Sequence, residues 1–381
     1  MAQSSTSETP VQSSAPGFTV MCDDRKLGLY YCDSMIDLMV ESRLDLPSAF
    51  SITFTDRRLS VIDRQKGELR EGVKVNISLG YDGKHKQIFE GFVSTVSAEM
   101  SQSGVYSYVA GFDCLHLFAR GTTYYSFVDS ADEAQEDSLI VERIISDAKL
   151  TPVVTQTHKR NVPRTQDNCS DLEFMTTLAQ LNGYFLYADG QKIHFSPDPP
   201  KRGKIRLDWQ KGLETFYAKL SLDGLVKTLI MHGRDASLGE NYETTMDRSD
   251  EELKLISKLG LYMLGYDASF VEDGYKPGSQ PTNFPVESVS TAEDELPALY
   301  LSDAMVTSMA DAEGYLSGYM RDEQALVIVK GSCTGDPNLL AGVELEVGGT
   351  GRFEGSYIVT RAVHRYNNNG YSTDFEAMRL G

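Results

Sequence analysis

Histidine and cysteine are the residues that most often bind metals or act as nucleophiles, and in this chain they are dispersed. The histidines stand alone, without the HExxH or HxxxH spacing that places two ligands on one helical face. They are His85, His116, His158, His194, His232 and His364. The five cysteines never show CxxC spacing, which favours reduced thiols over a disulfide framework or a zinc site. They are Cys22, Cys32, Cys114, Cys169 and Cys333. We therefore predict no metal site and a reducing compartment.

Paired acidic residues and a glycine-rich stretch are the other candidates for chemistry. The acidic pairs are Glu251-Glu252, Asp294-Glu295 and Asp322-Glu323. Adjacent residues in a helix or strand point in different directions, so these pairs are better explained as solvated surface than as an acid and base. Gly348-Gly349-Thr350-Gly351 lacks the lysine of a phosphate loop, and no GxSxG motif is present. We predict no catalytic residues, no cofactor-binding residues and no enzyme activity.

The charge balance limits the classes of partner. The formal net charge is −19, whereas contacts to nucleic-acid phosphates require clustered lysine and arginine. The excess acidic residues either keep the protein soluble or line a surface that repels anions. Tyr30-Tyr31 and Tyr124-Tyr125 lack basic residues between the rings, which favours a barrel core or subunit interface over a stacking surface for single strands. We expect no sequence-specific nucleic-acid binding.

The most clearly defined element is a helix followed by a hairpin, within residues 168–195. Ser170 and Glu173 form a capping box, and Asn182-Gly183 supplies the left-handed residue that stops a helix. Aromatic and β-branched runs then flank Asp189-Gly190, a dipeptide typical of tight hairpin turns. Together with a helix predicted over 138–150, this stretch forms a small α/β module.

Strand patterns occupy both sides of this module. Val73 to Tyr81 alternates apolar and polar residues, as in a strand with one buried face. A second capping box at Ser249 predicts a helix, the stretch from Gly265 to Pro297 predicts a long loop, and a further helix is predicted from Met305 to Met320. The predicted fold is β-rich α+β, with two antiparallel β-barrels. The predicted domains are a disordered arm (1–17), a first barrel (18–127), the α/β module (128–200), a second barrel (201–236 and 322–381) and a helical and loop insertion (237–321).

The N-terminal stretch and the apolar runs bear on location. The first seventeen residues lack the basic and apolar regions of a signal peptide, and no run is long enough to span a bilayer. We expect cytoplasmic assembly and no stable membrane insertion.

Three stretches resemble the phage late control protein D family, which forms the baseplate hub of contractile tails and the N-terminal hub of VgrG spike proteins. The first is Phe89-Glu90-Gly91-Phe92-Val93. The second begins Asn168-Cys169-Ser170-Asp171-Leu172-Glu173-Phe174 and ends Leu181-Asn182-Gly183-Tyr184-Phe185. The third includes Pro337-Asn338-Leu339, Gly355-Ser356-Tyr357-Ile358-Val359, His364 and Gly370-Tyr371 through Phe375. The resemblance covers the chain from about Phe18.

The resemblance implies a homotrimer in which each subunit contributes two tail-tube-like barrels, so that three subunits present six similar barrels as a ring. Such a hub is a symmetry adaptor between a hexameric inner tube and a trimeric spike. The implied partners are the inner tube protein, the spike and baseplate wedge components, with a tape measure protein or effector cargo as further candidates. The implied location is the baseplate of a phage tail, a tailocin or a contractile injection system.

Two further expectations follow. The sequence stops at Leu380-Gly381 without an oligosaccharide-binding-fold neck or a needle repeat, so the spike is expected to be a separate chain. The alternative hypothesis is a tail-associated cell-wall-degrading or glycan-binding protein, based only on the β-rich pattern and the acidic pairs.

Overall fold

The computed structural model describes residues 15–63, 68–127, 136–158, 163–220, 225–235, 238–250, 252–253, 298–303, 305–323, 325 and 327–379. Some predicted segments lie wholly or mostly outside these residues. They are the N-terminal arm, the helix predicted from Ser249 and the loop from Gly265 to Pro297.

The first barrel is a sheet that curls around its own core. It contains β1 (Pro16–Cys22), β2 (Arg25–Lys26), β3 (Met35–Arg43), β4 (Ala49–Thr55), β5 (Lys74–Tyr81), β6 (Lys84–Ser101) and β7 (Gly104–Phe112), with α1 (Leu29–Ser34) before β3. The strands follow the order β3-β4-β7-β6-β5-β1-β2, and no ladder joins β1 to β3 in the described residues. Val75, Ile77 and Leu79 of β5 are fully buried, which confirms the alternation predicted for this strand.

The α/β module follows β7. It comprises η1 (Cys114–Ala119), β8 (Thr123–Phe127), α2 (Asp137–Asp147), β9 (Thr151–Val154), β10 (Arg164–Cys169), α3 (Asp171–Asn182), β11 (Phe185–Asp189) and β12 (Lys192–Ser196). The capping box is confirmed, because Glu173 N donates to Ser170 Oγ at 3.2 Å while Glu173 Oε2 accepts from Ser170 N at 2.8 Å. Gly183 ends α3 at φ +64°, as the sequence predicts. Phe174, Met175 and Leu178 of α3 are buried in the core of the module.

A three-stranded sheet interrupts the C-terminal half. It contains β15 (Thr228–Arg234), β16 (Asn241–Asp247) and β17 (Ala298–Leu301), in the order β16-β15-β17. The helix α4 (Met309–Asp322) packs against it and buries Leu316 beside Leu229 and Met231. Gly314 and Gly318 allow α4 to approach α3, since a Cβ on Gly314 would lie 2.5 Å from Leu181 O.

The second barrel closes completely. Its strands are β13 (Lys204–Trp209), β14 (Gly212–Leu220), β18 (Val327–Thr334), β19 (Glu344–Gly348), β20 (Gly355–Asn367) and β21 (Gly370–Met378), with η2 (Gly351–Phe353) before β20. They pair in the order β19-β13-β14-β18-β21-β20, and β20 pairs back to β19. The β-rich fold class is therefore confirmed, although β13 runs parallel to both of its neighbours. Lys204 opposite Glu344 and Arg206 opposite Glu346 form cross-strand ion pairs at 3.1 and 2.8 Å that favour this register.

Five strands of the two barrels repeat one pairing pattern. β3, β4, β7, β6 and β5 correspond in order to β14, β18, β21, β20 and β19. The β3–β4 and β14–β18 ladders each have an irregularity near the start, after Met35 and after Leu213. The β6–β7 and β20–β21 hairpins each have one after Val93 and after Val359. The barrels are therefore structural repeats, although the closing strands β1 and β13 run in opposite senses relative to their neighbours β5 and β19.

The repeat extends to single residues. Beyond the irregularity, Thr95–Ser101 and Arg361–Asn367 have the same length and are followed by equivalent turns before Gly104 and Gly370. Both glycines adopt positive φ, +148° and +121°. Before β5 and β19, Gly72 and Gly342 share φ +85° and donate to the carbonyls of Val93 and Val359 at 2.8 and 2.7 Å. Residues of one barrel can therefore be assigned to positions of the other.

Four boundaries differ from the sequence predictions. β1 begins at Pro16, inside the predicted arm. β8 pairs with β10 of the α/β module rather than with the first barrel. β15 pairs with β16 and β17 rather than with the second barrel, so the insertion contains a sheet as well as helix. α4 begins after Ser308, later than predicted, because the Ser308 hydroxyl accepts from Asp311 N there.

Replacing Ser170 by alanine tests whether the capping box stabilises the module. Loss of the cap leaves helix N–H groups of α3 without their acceptor, so we expect the free energy of unfolding to fall by about 1 kcal/mol. Chemical denaturation measures this, with the exposed Thr165→Ala as control. Equal effects of the two substitutions would show that the cap contributes nothing measurable.

Candidate functional site

The joint between the two barrels is a strand that changes partner along its length. Gly355–Ile358 of β20 pairs with β19, whereas Arg361–Asn367 pairs antiparallel with Asp37–Arg43 of β3. This second ladder merges both barrels into one 13-stranded sheet. Both edges of β3 are thereby occupied, by β4 and by β20.

A chain of ion pairs crosses the joint. Arg361 donates to Glu41 Oε1 from Nε at 2.7 Å and to Glu376 Oε1 from Nη1 at 3.2 Å. Lys330 Nζ extends the chain at 3.1 Å from Glu376, and Arg43 Nη1 lies 3.5 Å from Glu41. The hydrogen bond from Arg361 lowers the pKa of Glu41 below its usual value. Because these groups lie on four neighbouring strands, they help to fix the register across the joint.

The β3–β4 loop attaches the α/β module to this sheet. Asp45, at φ +63°, accepts from Leu186 N of β11 at 3.0 Å. Burial raises the pKa of Asp45 to about 6, against the lowering effect of the hydrogen bond from Leu186 and of Arg321. Leu44 packs beside this contact against Phe185. The edge of β11 is thus capped by a carboxylate instead of another strand.

A second carboxylate holds the other end of the same loop. Asp113 accepts from Ser48 N at 2.8 Å and from Leu115 N at 3.0 Å, where it caps η1. Burial raises the pKa of Asp113 to about 6. It borders a cleft of about 270 Å³ where the two barrels meet the β11–β12 hairpin, and Arg202 also lines that cleft. Arg202 donates to Ala341 O at 2.9 Å.

A buried ionic cluster joins the α/β module to the insertion. Arg164 of β10 contacts Asp137 Oδ1 at 3.3 Å and Asp311 Oδ1 at 3.4 Å, and it also donates to Met305 O. Both carboxylates are fully buried. Asn182 donates to Asp137 at 2.7 Å, and His158 Nε2 lies 3.1 Å from Asp311. The cluster connects α2, β10, α3 and α4.

No pattern in the sequence predicts this cluster. Arg164 lies 27 residues from Asp137 and 147 residues from Asp311, so no local spacing signals their contact. The only local sign is the Ser308-to-Asp311 spacing of a helix cap, and there Asp311 accepts from Thr307 N and Oγ1 at 3.0 and 2.9 Å. Such a cluster can fix the relative position of these four elements.

The histidines are placed separately. His364 is fully buried in the second barrel, where its Nδ1 lies 2.8 Å from Tyr371 Oη and burial lowers its pKa to about 4. His194 stacks on Tyr187 with ring centroids 4.6 Å apart, and His116 stacks on Phe112 at 4.2 Å. His85 bonds Thr19 Oγ1 at 2.8 Å. His232 lies 3.3 Å from Glu243 on the insertion sheet. Within the described residues, no three or more His, Cys, Asp or Glu side chains are grouped to hold a metal ion.

The two tyrosine pairs lie in different environments. Tyr31 is buried in the first barrel, as expected if this pair belongs to a barrel core. Tyr124 is 76% exposed and lies outside a barrel core, because β8 belongs to the two-stranded β8–β10 ribbon.

All five cysteines are free, and burial raises the pKa of Cys22, Cys114 and Cys333 to about 12. The Asp322-Glu323 pair lies at the end of α4, where Asp322 pairs with Arg321 at 2.6 Å. In the described part of the chain, no helix is long and apolar enough to cross a membrane.

The fold is that of phage tail proteins. The 43 kDa tail protein of prophage MuSo2 from Shewanella oneidensis matches with a TM-score of 0.62 at 11% identity, covering 96% of this chain and 98% of that protein. The tail protein of Neisseria meningitidis MC58 matches with a TM-score of 0.57 at 9% identity, covering 96% and 97% of the two chains. The Escherichia coli c3393 protein, described as a component of the type VI secretion system, matches with a TM-score of 0.54 at 13% identity, covering 91% and 74%.

The sequence itself defines the family. The chain belongs to the family described as Alg8 N-terminal domain, which matches residues 19–249, more than half of its length. No curated protein sequence is detectably similar to it.

Replacing Arg164 by methionine tests the buried cluster. The substitution keeps most of the volume but removes the cation of Arg164 from two buried carboxylates, so we expect a loss of about 3–5 kcal/mol in unfolding free energy. Arg365→Met is the control, because Arg365 is 47% exposed and its single pair with Asp374 is worth at most about 1 kcal/mol. Similar losses for both variants would contradict the structural role of the cluster.

Asp45→Asn tests the raised pKa of Asp45. A carboxyl whose pKa is raised on folding stabilises the folded state most at low pH, and that stability is lost as the pH rises from about 4 to about 6. Asparagine tolerates positive φ, keeps an acceptor for Leu186 N and cannot ionise. We expect the variant to be more stable than the wild type by about 1–2 kcal/mol at pH 7.5 and indistinguishable at pH 4. Denaturation at both pH values measures the difference, and a pH-independent difference would contradict it.

Proposed function

We propose that the protein is a baseplate hub: a homotrimer that joins a hexameric inner tube to a trimeric spike in a contractile tail or contractile injection system. On this proposal it has no enzyme activity, and its action is to assemble and to transmit force. It is assembled in the cytoplasm and then becomes part of the particle.

The observation that carries the proposal is the repeat of the two barrels. An adaptor between sixfold and threefold partners must present six near-equivalent surfaces from three chains, and two equivalent barrels per chain supply them. Five strands of each barrel share order, register and irregularities. A second support is the tail-protein fold of the chain.

The structure also offers a physical basis for transmitting force. The two barrels share one hydrogen-bonded sheet, and the β3–β20 ladder has the ion pairs of Arg361 across it. The α/β module is held by Asp45 and Asp113, and the insertion by the Arg164 cluster. A load applied to one barrel would therefore pass to the other through several parallel hydrogen bonds rather than through a flexible linker.

The oligomeric state tests the proposal. We expect the purified chain to have three times the single-chain mass by light scattering, and to capture a co-expressed trimeric spike protein. A stable monomer that clears peptidoglycan would contradict the hub and favour a cell-wall-degrading tail protein instead.

A further inference from the structure

Among the strand edges that have no partner in the described residues, two are the counterparts of the two edges that meet inside the chain. β6 pairs with β5 only as far as Phe92, which leaves the outer edge of Thr95–Ser101 open. β14 meets β13 only at Gly212 and Leu213, which leaves the rest of that edge open. By the repeat, Thr95–Ser101 corresponds to Arg361–Asn367 of β20, and β14 corresponds to β3.

We propose that β14 of one copy pairs antiparallel with Thr95–Ser101 of β6 in a second copy, and so repeats the β3–β20 joint between chains. This inference rests on the proposed function, which requires neighbouring copies in a ring. The register follows from the internal joint, where His364 faces Val40 and Tyr366 faces Leu38. The corresponding residues then face each other: Ala98 opposite Ala218, and Met100 opposite Phe216.

The exposed side chains on these edges fit this pairing. Met100 is 60% exposed and Tyr217 is 61% exposed, and pairing of the two edges would cover part of both side chains. In the proposed register Tyr217 lies opposite Glu99, and Met100 lies opposite Phe216 on the other face of the sheet. An open edge with such side chains otherwise invites unspecific strand pairing, so a dedicated partner explains both the edge and the exposure.

One diagonal pair of charged positions at the internal joint recurs with inverted signs in the proposed joint, whereas the Arg361–Glu41 ion pair does not recur because Thr95 stands at the position of Arg361. At the internal joint, Glu41 of β3 faces Val363, two residues from Arg365 of β20. The corresponding residues are Lys219 of β14 and Glu99 of β6, so each joint places a carboxylate diagonally across from a cation. The local contacts correspond as well, since Arg365 pairs with Asp374 at 3.3 Å and Glu99 accepts from Tyr108 Oη at 3.1 Å. Opposite charges support the proposed register over a shifted one.

Pairing of unlike edges links copies head to tail. Each chain carries one β6 edge and one β14 edge, so the contact is heterologous and is satisfied for every copy only when the copies close into a ring. The one internal joint of each chain and the joints between chains would then alternate around one continuous sheet.

Engineered cysteines test the register in the full-length protein. Ala98→Cys and Ala218→Cys together place two thiols directly opposite each other, where facing Cα atoms about 4.5–5.5 Å apart allow a disulfide. Under mild oxidation we expect covalent oligomers that end at the ring size, resolved on a non-reducing gel. The Ser97→Cys and Ala218→Cys pair is the offset control, because neighbouring strand residues face opposite sides, and it should give about ten-fold less product. The wild type reports any background from its five native cysteines.

The outcomes separate this inference from the proposed function. A trimer by light scattering in which the directly opposed pair links no better than the offset pair overturns the edge pairing and leaves the hub proposal standing. A chain that stays monomeric overturns both. Selective linking of the directly opposed pair into trimers supports both.

A charge exchange provides an independent measurement. Glu99→Lys would lie diagonally across the joint from Lys219 and is expected to weaken self-association about two- to five-fold, and Lys219→Glu in the same chain should restore it. Unchanged association in Glu99→Lys, or no restoration by the second substitution, would count against the proposed register.

Discussion

The pairing of β3 with β20 is the contact on which the arrangement of both barrels depends. It converts two separately wrapped sheets into one, and it uses an edge of each barrel that would otherwise be exposed to unspecific pairing. Because β20 pairs with β19 in its first half and with β3 in its second, the same strand closes one barrel and connects to the other. The irregularity after Val359 lies between these two halves, where a local increase in twist lets the strand change partner.

The two barrels differ in how each is completed. In the second barrel, β13 runs parallel to β19 and reaches β14, so the hydrogen-bonded ring of six strands closes. In the first barrel, β1 runs antiparallel to β5 and its described residues have no ladder to β3. The five shared strands give the two barrels equivalent edges, whereas the strands β1 and β13, which differ, allow each barrel to contact a different neighbour. A protein that must present both sixfold-like and threefold surfaces needs both properties.

Short-range sequence patterns predict individual helices and strands of this chain well, but they do not predict contacts between segments that are distant in the sequence. Ser170, Glu173 and Gly183 define α3 because a cap and a left-handed residue act within a few positions. The alternation through Val75, Ile77 and Leu79 defines β5 for the same reason. By contrast, the partners of β8 and β15 depend on strands far away in the sequence, and alternation alone does not say which sheet a strand joins. The sequence does not predict the Arg164 cluster or the open edges of β6 and β14, because they too depend on segments that are far apart in the chain.

β3 and β20 join the two barrels edge to edge within the chain, and we propose that β14 and β6 do the same between chains. The most direct measurement is a cryo-electron microscopy reconstruction of the purified assembly. We expect three copies whose six barrels form one ring, with β14 of each copy hydrogen-bonded to β6 of the next in the register of the internal β3–β20 ladder. A trimer in which these edges face solvent, with the barrels packed through other surfaces, would contradict it.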